Sequence, residues 1–404
     1  MRWLAALALF LGLSITGLAA FEASPVRDRL SGNPDYNPNR AHHTPDGFRN
    51  PDGTQVDKSY AELWRWRREQ VLEDLPKPPA ADFLSRIASS PDARDAVRAV
   101  FAVSQSPAQP SAESAIKRVS TASHAASLTW IGHASMALRQ EGEGFLIDPV
   151  FSERVSPVSF AGPKRKVPLA VSLSDFSSVN TVLISHNHYD HLDEPTILAL
   201  LQRPEGQPRF VVPLGVDRWL RERGAKRVHA LDWWEVVQVG PVSVHLVPAQ
   251  HWSTRSLWDR NQTLWGGFVL ESASFRFYYS GDTAYSRVLF DSIRQRFGAF
   301  DLAAIPVGAY APRWFMSAQH TDPAEAVQAM LDLNAREGIG VHWGSFELAS
   351  ESLDAPLEEV PRALAGAGLA RDRLALFRHA ETRHYAGRSS VADASGPQER
   401  PPHD

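Results

Sequence analysis

The chain is expected to fold as packed layers of strands and helices, in the α/β or α+β class. Three observations carry that expectation. From about residue 126 onward, short apolar strand-like runs recur between turn residues. Segments with helical periodicity are interleaved with them, as in layered folds. The length of 404 residues, with 43% hydrophobic and 22% charged residues, is enough to bury a large core or two domains.

The first residues stand apart. MRWLAALALFLGLSITGLAAF has a charge at Arg2, a long apolar run, and small residues at Gly17, Ala19 and Ala20. This reads as an export signal, and Trp3 to Phe21 would also serve as an uncleaved membrane anchor. We expect residues 1–20 to be that signal or anchor, and the chain to be exported from a bacterial cytoplasm, periplasmic or anchored facing the periplasm.

Residues 21–125 are expected to be an N-terminal extension. Its stretch SGNPDYNPNRAHHTPDGFRNPDG lacks apolar periodicity and reads as an extended arm lying on the surface or wrapping the fold, with His42 and His43 as exposed loop residues. KSYAELWRWRREQVLEDL, residues 58–75, reads as an amphipathic helix with Leu63, Trp66, Val71 and Leu75 on one side. Trp beside Arg suits a membrane-interfacial helix as well as one docked through its indoles. The Pro, Ala and Ser content of residues 76–125 reads as a linker with one short helix near 92–103.

Residues 126–387 are the expected catalytic domain. Strands are expected at 127–131, 134–139 and 144–148, then in VNTVLISH, FVVPLG, VHALDW, VSVHLVPAQH, GGFVLES, FRFYYSGD, FDLAAIPVG and GIGVHWG. Helices are expected near 194–203, 215–223, 286–296, 322–334 and 357–367. The tail from residue 388 is expected to be disordered.

A formal net charge of −4 without a basic run excludes a protein built around a nucleic-acid backbone. With no cysteine, a metal must be held by His and carboxylate. Those residues are concentrated in LISHNHYDHLD, residues 183–193, where an apolar strand runs into a loop and then meets Pro195 at a helix start. His186 and His188 can reach one ion, while Asp190 and His191 suit a second. His251, Asp282 and His342 each follow a strand and complete the set. The expected ligands are His186, His188 and His251 for one ion and Asp190, His191 and His342 for the other, with Asp282 as bridge. Such donors suit zinc, with manganese or iron as other candidates. Trp252 and Trp314 are expected to face the site, among several aromatics able to line an apolar groove.

This order of strand-end ligands resembles the metallo-β-lactamase superfamily. TWIGHAS, IDPVFSERVSP, GPKRKVP, LWGGFVL, FGAFDLAAIPVGAYAPRWFM, QHTDPAEAV and HWGSFELA resemble, more narrowly, the N-acylphosphatidylethanolamine-hydrolysing phospholipase D family. The resemblance implies an α+β fold, a four-layer αββα sandwich with a dinuclear zinc site on one edge. It implies hydrolysis of an N-acylated glycerophospholipid to phosphatidic acid and an N-acylethanolamine, with Asp190 and Asp282 holding the water that attacks phosphorus. His320 would sit beside the phosphate, to stabilise charge or protonate the leaving alkoxide. Asp148, Asp193 and His133 are expected to support the ligands from behind, and the basic residues of GPKRKVP are candidates for phosphate contact. Expected partners are the phospholipid, a membrane surface and, as one option, a second copy of the chain. A hydrolase of esters, lactones or amides on the same site, and a non-hydrolytic metal-binding protein, are the competing readings.

Overall fold

Alternation along the central strands builds a core on both sides of a sheet. Met136, Leu138, Phe145 and Ile147 face one core, shared with Phe268, Phe277 and Leu302. Their chain neighbours Ala137 and Leu146 face the opposite way, onto Phe101, Ile197 and Leu220. Side chains of successive strand residues point to opposite faces, so a strand buried on both faces lies inside a layered stack.

The computed structural model describes residues 32–101, 124–256 and 258–388. The expected signal or anchor, the middle of the linker and the tail from 389 lie outside the described residues. No helix among the described residues is long and apolar enough to cross a membrane.

The arm opens with a small hairpin, β1 (His43–Thr44) and β2 (Gly47–Phe48), followed by α1 (Tyr60–Leu72), α2 (Phe83–Ile87) and α3 (Ala93–Phe101). The first half of the domain holds β3 (Ala126–Gly132), β4 (Ser135–Gln140), β5 (Glu143–Ile147), β6 (Thr181–Leu183), α4 (Glu194–Leu201), β7 (Arg209–Pro213), α5 (Val216–Glu222) and β8 (Val228–Leu231). The second holds β9 (Val236–Val239), β10 (Val242–Val247), β11 (Gly267–Glu271), β12 (Arg276–Tyr279), α6 (Arg287–Phe297), β13 (Phe300–Pro306), α7 (Arg313–Met316), α8 (Pro323–Asp332), β14 (Ala335–Val341), α9 (Ala355–Gly366), β15 (Leu374–Ala375) and β16 (Glu381–Tyr385).

Two seven-stranded sheets result, ordered β16-β3-β4-β5-β6-β7-β8 and β15-β14-β13-β12-β11-β10-β9. Pairing is parallel from β5 to β8 and from β12 to β15. Helices α3, α4 and α5 cover the outer face of the first sheet, and α8 packs on β13 and β14 of the second, beside α6 and α9. This is the expected αββα sandwich. Strands β9, β15 and β16, absent from the sequence reading, are short or polar edge strands with little to mark them.

The two histidines of the arm and helix α1 depart from expectation. His43 is buried and His42 nearly so, because both donate to Asp232, at 3.1 and 2.6 Å. His42 also stacks on Trp233. The arm is clamped to the domain at this point and wraps the fold, and only the exposure expected of the two histidines is overturned. Helix α1 is shorter than 58–75, starts at a Ser59 capping box with Glu62, and does not bury its apolar side: Val71 is 81% exposed. Its attachment runs through Trp66, which stacks on Phe315 with ring centroids 4.8 Å apart.

Candidate metal centre

Every candidate ligand stands where a strand ends at one rim of the sandwich. The loop after β6 carries His186, His188, Asp190 and His191. His251 follows β10, Asp282 follows β12 and His342 follows β14. Gly281, at φ +59°, lets Asp282 come close, since a Cβ there would meet the Gly266 carbonyl at 2.6 Å and Ser185 at 2.9 Å. His133, Asp148 and His342 hold left-handed backbone at φ +55°, +42° and +62°. For non-glycine residues that costs about 1–3 kcal/mol each, and such strain clusters at functional sites.

His188 Nδ1 lies 2.9 Å from His186 Nε2 and 3.3 Å from His251 Nε2. Asp282 Oδ2 lies 3.8 Å from His186 and 3.7 Å from His251. On its other side the same oxygen is 3.2 Å from His191 Nε2 and 3.1 Å from His342 Nε2. Asp190 Oδ2 lies 3.1 Å from His342 and 3.6 Å from His191. The structure therefore brings all seven expected ligands together, with Asp282 between two groups. Nitrogens about 2.0–2.1 Å from a tetrahedral ion stand about 3.3 Å apart, close to the spacing found. Asp282 Oδ1 is buried and makes no hydrogen bond, a cost that a cation beside it would remove.

Electrostatics separate the halves. Burial lowers His188 to about 3 and His251 to about 4, and pushes His186 well down, so these rings are neutral lone-pair donors at pH 7. Burial acts the same way on His342 and His191, but Asp282 and Asp190 outweigh it. His342 is held at about 9 and His191 well above its ordinary value. Burial opposes ionisation of both aspartates, yet the neighbouring histidines hold them well below the usual carboxylate range. Without metal, two carboxylates are thus balanced by two imidazoliums, protons standing where cations would.

Support comes from behind. Asp148 accepts from His191 Nδ1 at 2.7 Å, from Ser185 N at 2.7 Å, and from the Ser185 and Tyr279 hydroxyls at 2.5 Å each. With its Nδ1 proton held there, His191 turns the Nε2 lone pair to the site. His251 is fixed likewise by the Gln319 carbonyl, at 2.9 Å. His133 Nε2 meets Asp190 Oδ2 at 2.9 Å, on the edge of the second group. Among the described residues, Asp193 makes no hydrogen bond to a ligand ring. It accepts from Phe151 N, Ser152 N and Ser152 Oγ, tying the segment after Asp148 to the head of α4.

Sequence reading missed two supports. Arg255, stacked on Tyr189 and Trp219, donates to the carbonyls of Asn187 and Leu192, bracketing the metal loop. Asn50, from the arm, accepts from His251 N at 2.9 Å and Trp265 Nε1 at 3.2 Å. Neither carries a local signal, since each acts on residues far away in the chain.

A pocket of about 820 Å³ opens above the centre, with His188, Asp190, His251, Asp282, His320 and His342 at its floor and Trp66, Trp252, Phe315, Met316 and Leu348 among its walls. His320 is buried, lowered well below its ordinary value by that burial, and its Nδ1 has no partner. It does not cap α8. Asp322 does, in a capping box with Glu325 and with Pro323 at the first turn. Trp252 lines the pocket beside His188, with ring centroids 4.6 Å apart.

Trp314 does not face the site. On the single turn of α7, adjacent side chains diverge by about 100°. Phe315 takes the pocket side, while Trp314 donates to Glu69 and lies under Arg65. The GPKRKVP residues are also taken up elsewhere. Lys164 pairs with Glu153 and Lys166 with Glu347, while Arg165 donates to the carbonyls of Ser152 and Val150.

Residues 144–343 match a family model described as beta-lactamase superfamily domain. The chain is 39% identical over 231 residues to N-acyl-phosphatidylethanolamine-hydrolyzing phospholipase D 1 of Caenorhabditis elegans, covering 55% of this chain and 65% of that protein. It is 36% identical over 253 residues to the mitochondrial N-acyl-phosphatidylethanolamine-hydrolyzing phospholipase D of Saccharomyces cerevisiae, covering 61% of this chain and 53% of that one. The chain thus spans less than two thirds of each of these relatives. Among solved structures, an isothiocyanate hydrolase from Delia radicum gut bacteria superposes with a TM-score of 0.52 at 20% identity, covering 64% of this chain and 99% of that one.

Proposed function

Because this chain belongs to the β-lactamase superfamily and has its metallo-hydrolase fold, we propose that it is a zinc-dependent phosphodiesterase of phospholipase D type. The substrate proposed is an N-acylphosphatidylethanolamine-like glycerophospholipid, cleaved to phosphatidic acid and an N-acylethanolamine. One observation carries the reading. An apolar pocket of about 820 Å³ stands on a floor of histidines and aspartates, so a single cavity suits both acyl chains and a phosphodiester. The relatives named above, hydrolases of such a lipid by name, support it.

His186, His188 and His251 would hold one zinc ion and Asp190, His191 and His342 a second, with Asp282 shared. Two such ions supply a water-derived nucleophile at neutral pH and positive charge for the phosphoryl oxygens. The chain's own residues do the rest. Asp282 and Asp190 accept hydrogen bonds from a water placed between the two halves and orient it. His320, neutral and partnerless at Nδ1, donates a hydrogen bond to the phosphoryl group as negative charge grows. Trp252 and Phe315 keep water from the acyl side.

The test is product analysis by mass spectrometry after incubating purified, zinc-loaded protein with N-acylated phosphatidylethanolamine and a bacterial lipid panel in mixed micelles. Phosphatidic acid and the N-acylated head group are the expected products. Release of no phosphatidic acid from any glycerophospholipid would sink the reading.

A further inference from the structure

The rim opposite the metal centre holds a second cavity, which the proposed reaction leaves without a use. β12, β13 and β14 run in parallel from this end, starting at Arg276, Phe300 and Ala335, and β12 and β14 deliver Asp282 and His342 to the centre at the other. The cavity measures about 540 Å³ and is lined by Arg276, Arg336, Arg373 and Arg388 against one carboxylate, Asp301. Two of the guanidiniums are held side by side, because Arg276 Nη1 and Arg388 Nη2 donate to the same Ala299 carbonyl, at 2.9 and 2.7 Å. Each of these has a carboxylate of its own: Glu271 pairs with Arg276, and Asp301 Oδ2 lies 2.8 Å from Arg388 Nε. Arg373 and Arg336 are not balanced in this way. Arg373 donates to a neutral group, the Ala335 carbonyl at 3.2 Å, and its buried Nε makes no hydrogen bond among the described residues. Arg336 meets Glu337 only at 3.9 Å. Like charges gathered in one cavity repel, and anchoring them on carbonyls leaves surplus charge and spare N–H groups for an anion.

We propose that this cavity binds a small phosphate monoester of the phosphorylated-polyol class. A guanidinium fork matches phosphate oxygens in pairs, and two uncompensated forks suit a doubly charged phosphate better than a singly charged carboxylate. The volume lies in the range that takes a whole small molecule. Beyond the phosphate, the ligand meets polar groups, namely Asn334 and the backbone of Gly298 and Ala299. Phe300, the one aromatic residue in the lining, is only 1% exposed, so no ring face is offered to a nucleobase. A lipid phosphate would find no apolar wall here for its acyl chains.

Glycerol 1-phosphate is the probe, titrated calorimetrically into the full, zinc-loaded chain at low ionic strength. Saturable binding is expected at millimolar probe, with sulfate competing and acetate at equal ionic strength failing to compete. An Arg336→Gln/Arg373→Gln variant should bind the probe roughly tenfold or more weakly, the scale of a lost hydrogen bond to a charged group, while its zinc content stays at the wild-type level. Arg373→Lys keeps the charge but loses the fork, and should bind at an intermediate level. Should the double variant fail to fold, Arg336→Gln alone, at a side chain 69% exposed, carries the same test with a smaller loss. Metals at the other rim also attract phosphate, so Asp282→Asn is titrated alongside and should bind the probe as the wild type does. Binding that survives the double variant but vanishes in Asp282→Asn would place the probe on the metals and overturn the proposal. So would the absence of saturable heat, or displacement by acetate as strong as that by sulfate.

Discussion

Replacing Asp148 with Asn tests how far the buried carboxylate sets the metal site. Asp148 Oδ2 accepts from His191 Nδ1 and from the hydroxyls of Ser185 and Tyr279, and Oδ1 accepts from Ser185 N. An amide keeps one acceptor oxygen, and its best orientation leaves that oxygen to the three donors at Oδ2. The NH2 then faces the Ser185 amide, stranding a buried N–H at about 1–3 kcal/mol. The remaining bond to His191 becomes neutral and roughly half as strong, so the ring becomes a poorer donor on its site-facing Nε2. Outer-sphere changes of this kind cost about 10–100-fold in metal affinity. We expect the Asp148→Asn protein to fold, to melt several degrees lower, and to bind zinc about 10–100-fold more weakly in the half that contains His191. Competition titration against a chelating indicator, with unfolding followed in parallel, reads both quantities. Wild-type zinc affinity in this variant would refute the argument that Asp148 acts through His191.

Other consequences are open to measurement. Asp282→Asn and His188→Ala should each abolish phospholipid hydrolysis while the circular dichroism spectrum stays native, and turnover by either variant would remove its residue from the centre. His320→Ala should keep its zinc but lose about 10²–10³-fold in phosphodiester hydrolysis; full retained activity, or full lactonase activity, would move the reading toward ester or lactone hydrolysis. Since Asp282 and Asp190 overcome burial to hold His342 at about 9 and to raise His191, protons must leave both rings before a cation binds. Apparent zinc affinity should therefore rise as pH increases from about 6 toward 9, and a flat profile in the indicator titration would contradict the assignment of those rings as ligands.

Much of the centre was legible because its chemistry is dense and its ligands end strands. LISHNHYDHLD places four of the expected ligands in one loop, and His251, Asp282 and His342 each follow a clear apolar strand. What stayed hidden acts across long sequence distances or turns on local rotation. Asn50 reaches the His251 amide from 201 residues away, so no spacing rule finds it. Trp314 and Phe315 are neighbours of equal apolar promise, and the direction of a four-residue helix decides which one enters the pocket. His42 and His43 read as solvent-exposed because their partner, Asp232, lies 189 residues from His43. β16 carries the polar run ETRHY, and its half-exposed position at a sheet edge left no alternation to read.

The arm's role follows from how the site is divided. The metal loop belongs to the first sheet, while His251, Asp282 and His342 belong to the second, so the geometry of the centre depends on how the two sheets sit against each other at that rim. The core between the sheets is apolar and sets their spacing, but apolar contacts are non-directional and do not orient individual strand ends. Directional bonds supply that. Asp148, on the first sheet, takes the hydroxyl of Tyr279 on β12 of the second, three residues before Asp282. Asn50 fixes the His251 backbone while Asp52 and Thr54 hold the adjacent Gln250 side chain, and β2 pairs Phe48 N with the Asn261 carbonyl nearby. Asn50 keeps a buried Nδ2 with no hydrogen-bond partner among the described residues, a cost a purely structural surface strap has no reason to carry. Both donors on its oxygen are N–H groups, so the amide cannot be turned to relieve it. The extension that reads in sequence as an extended arm on or around the fold is thus a third wall of the metal centre.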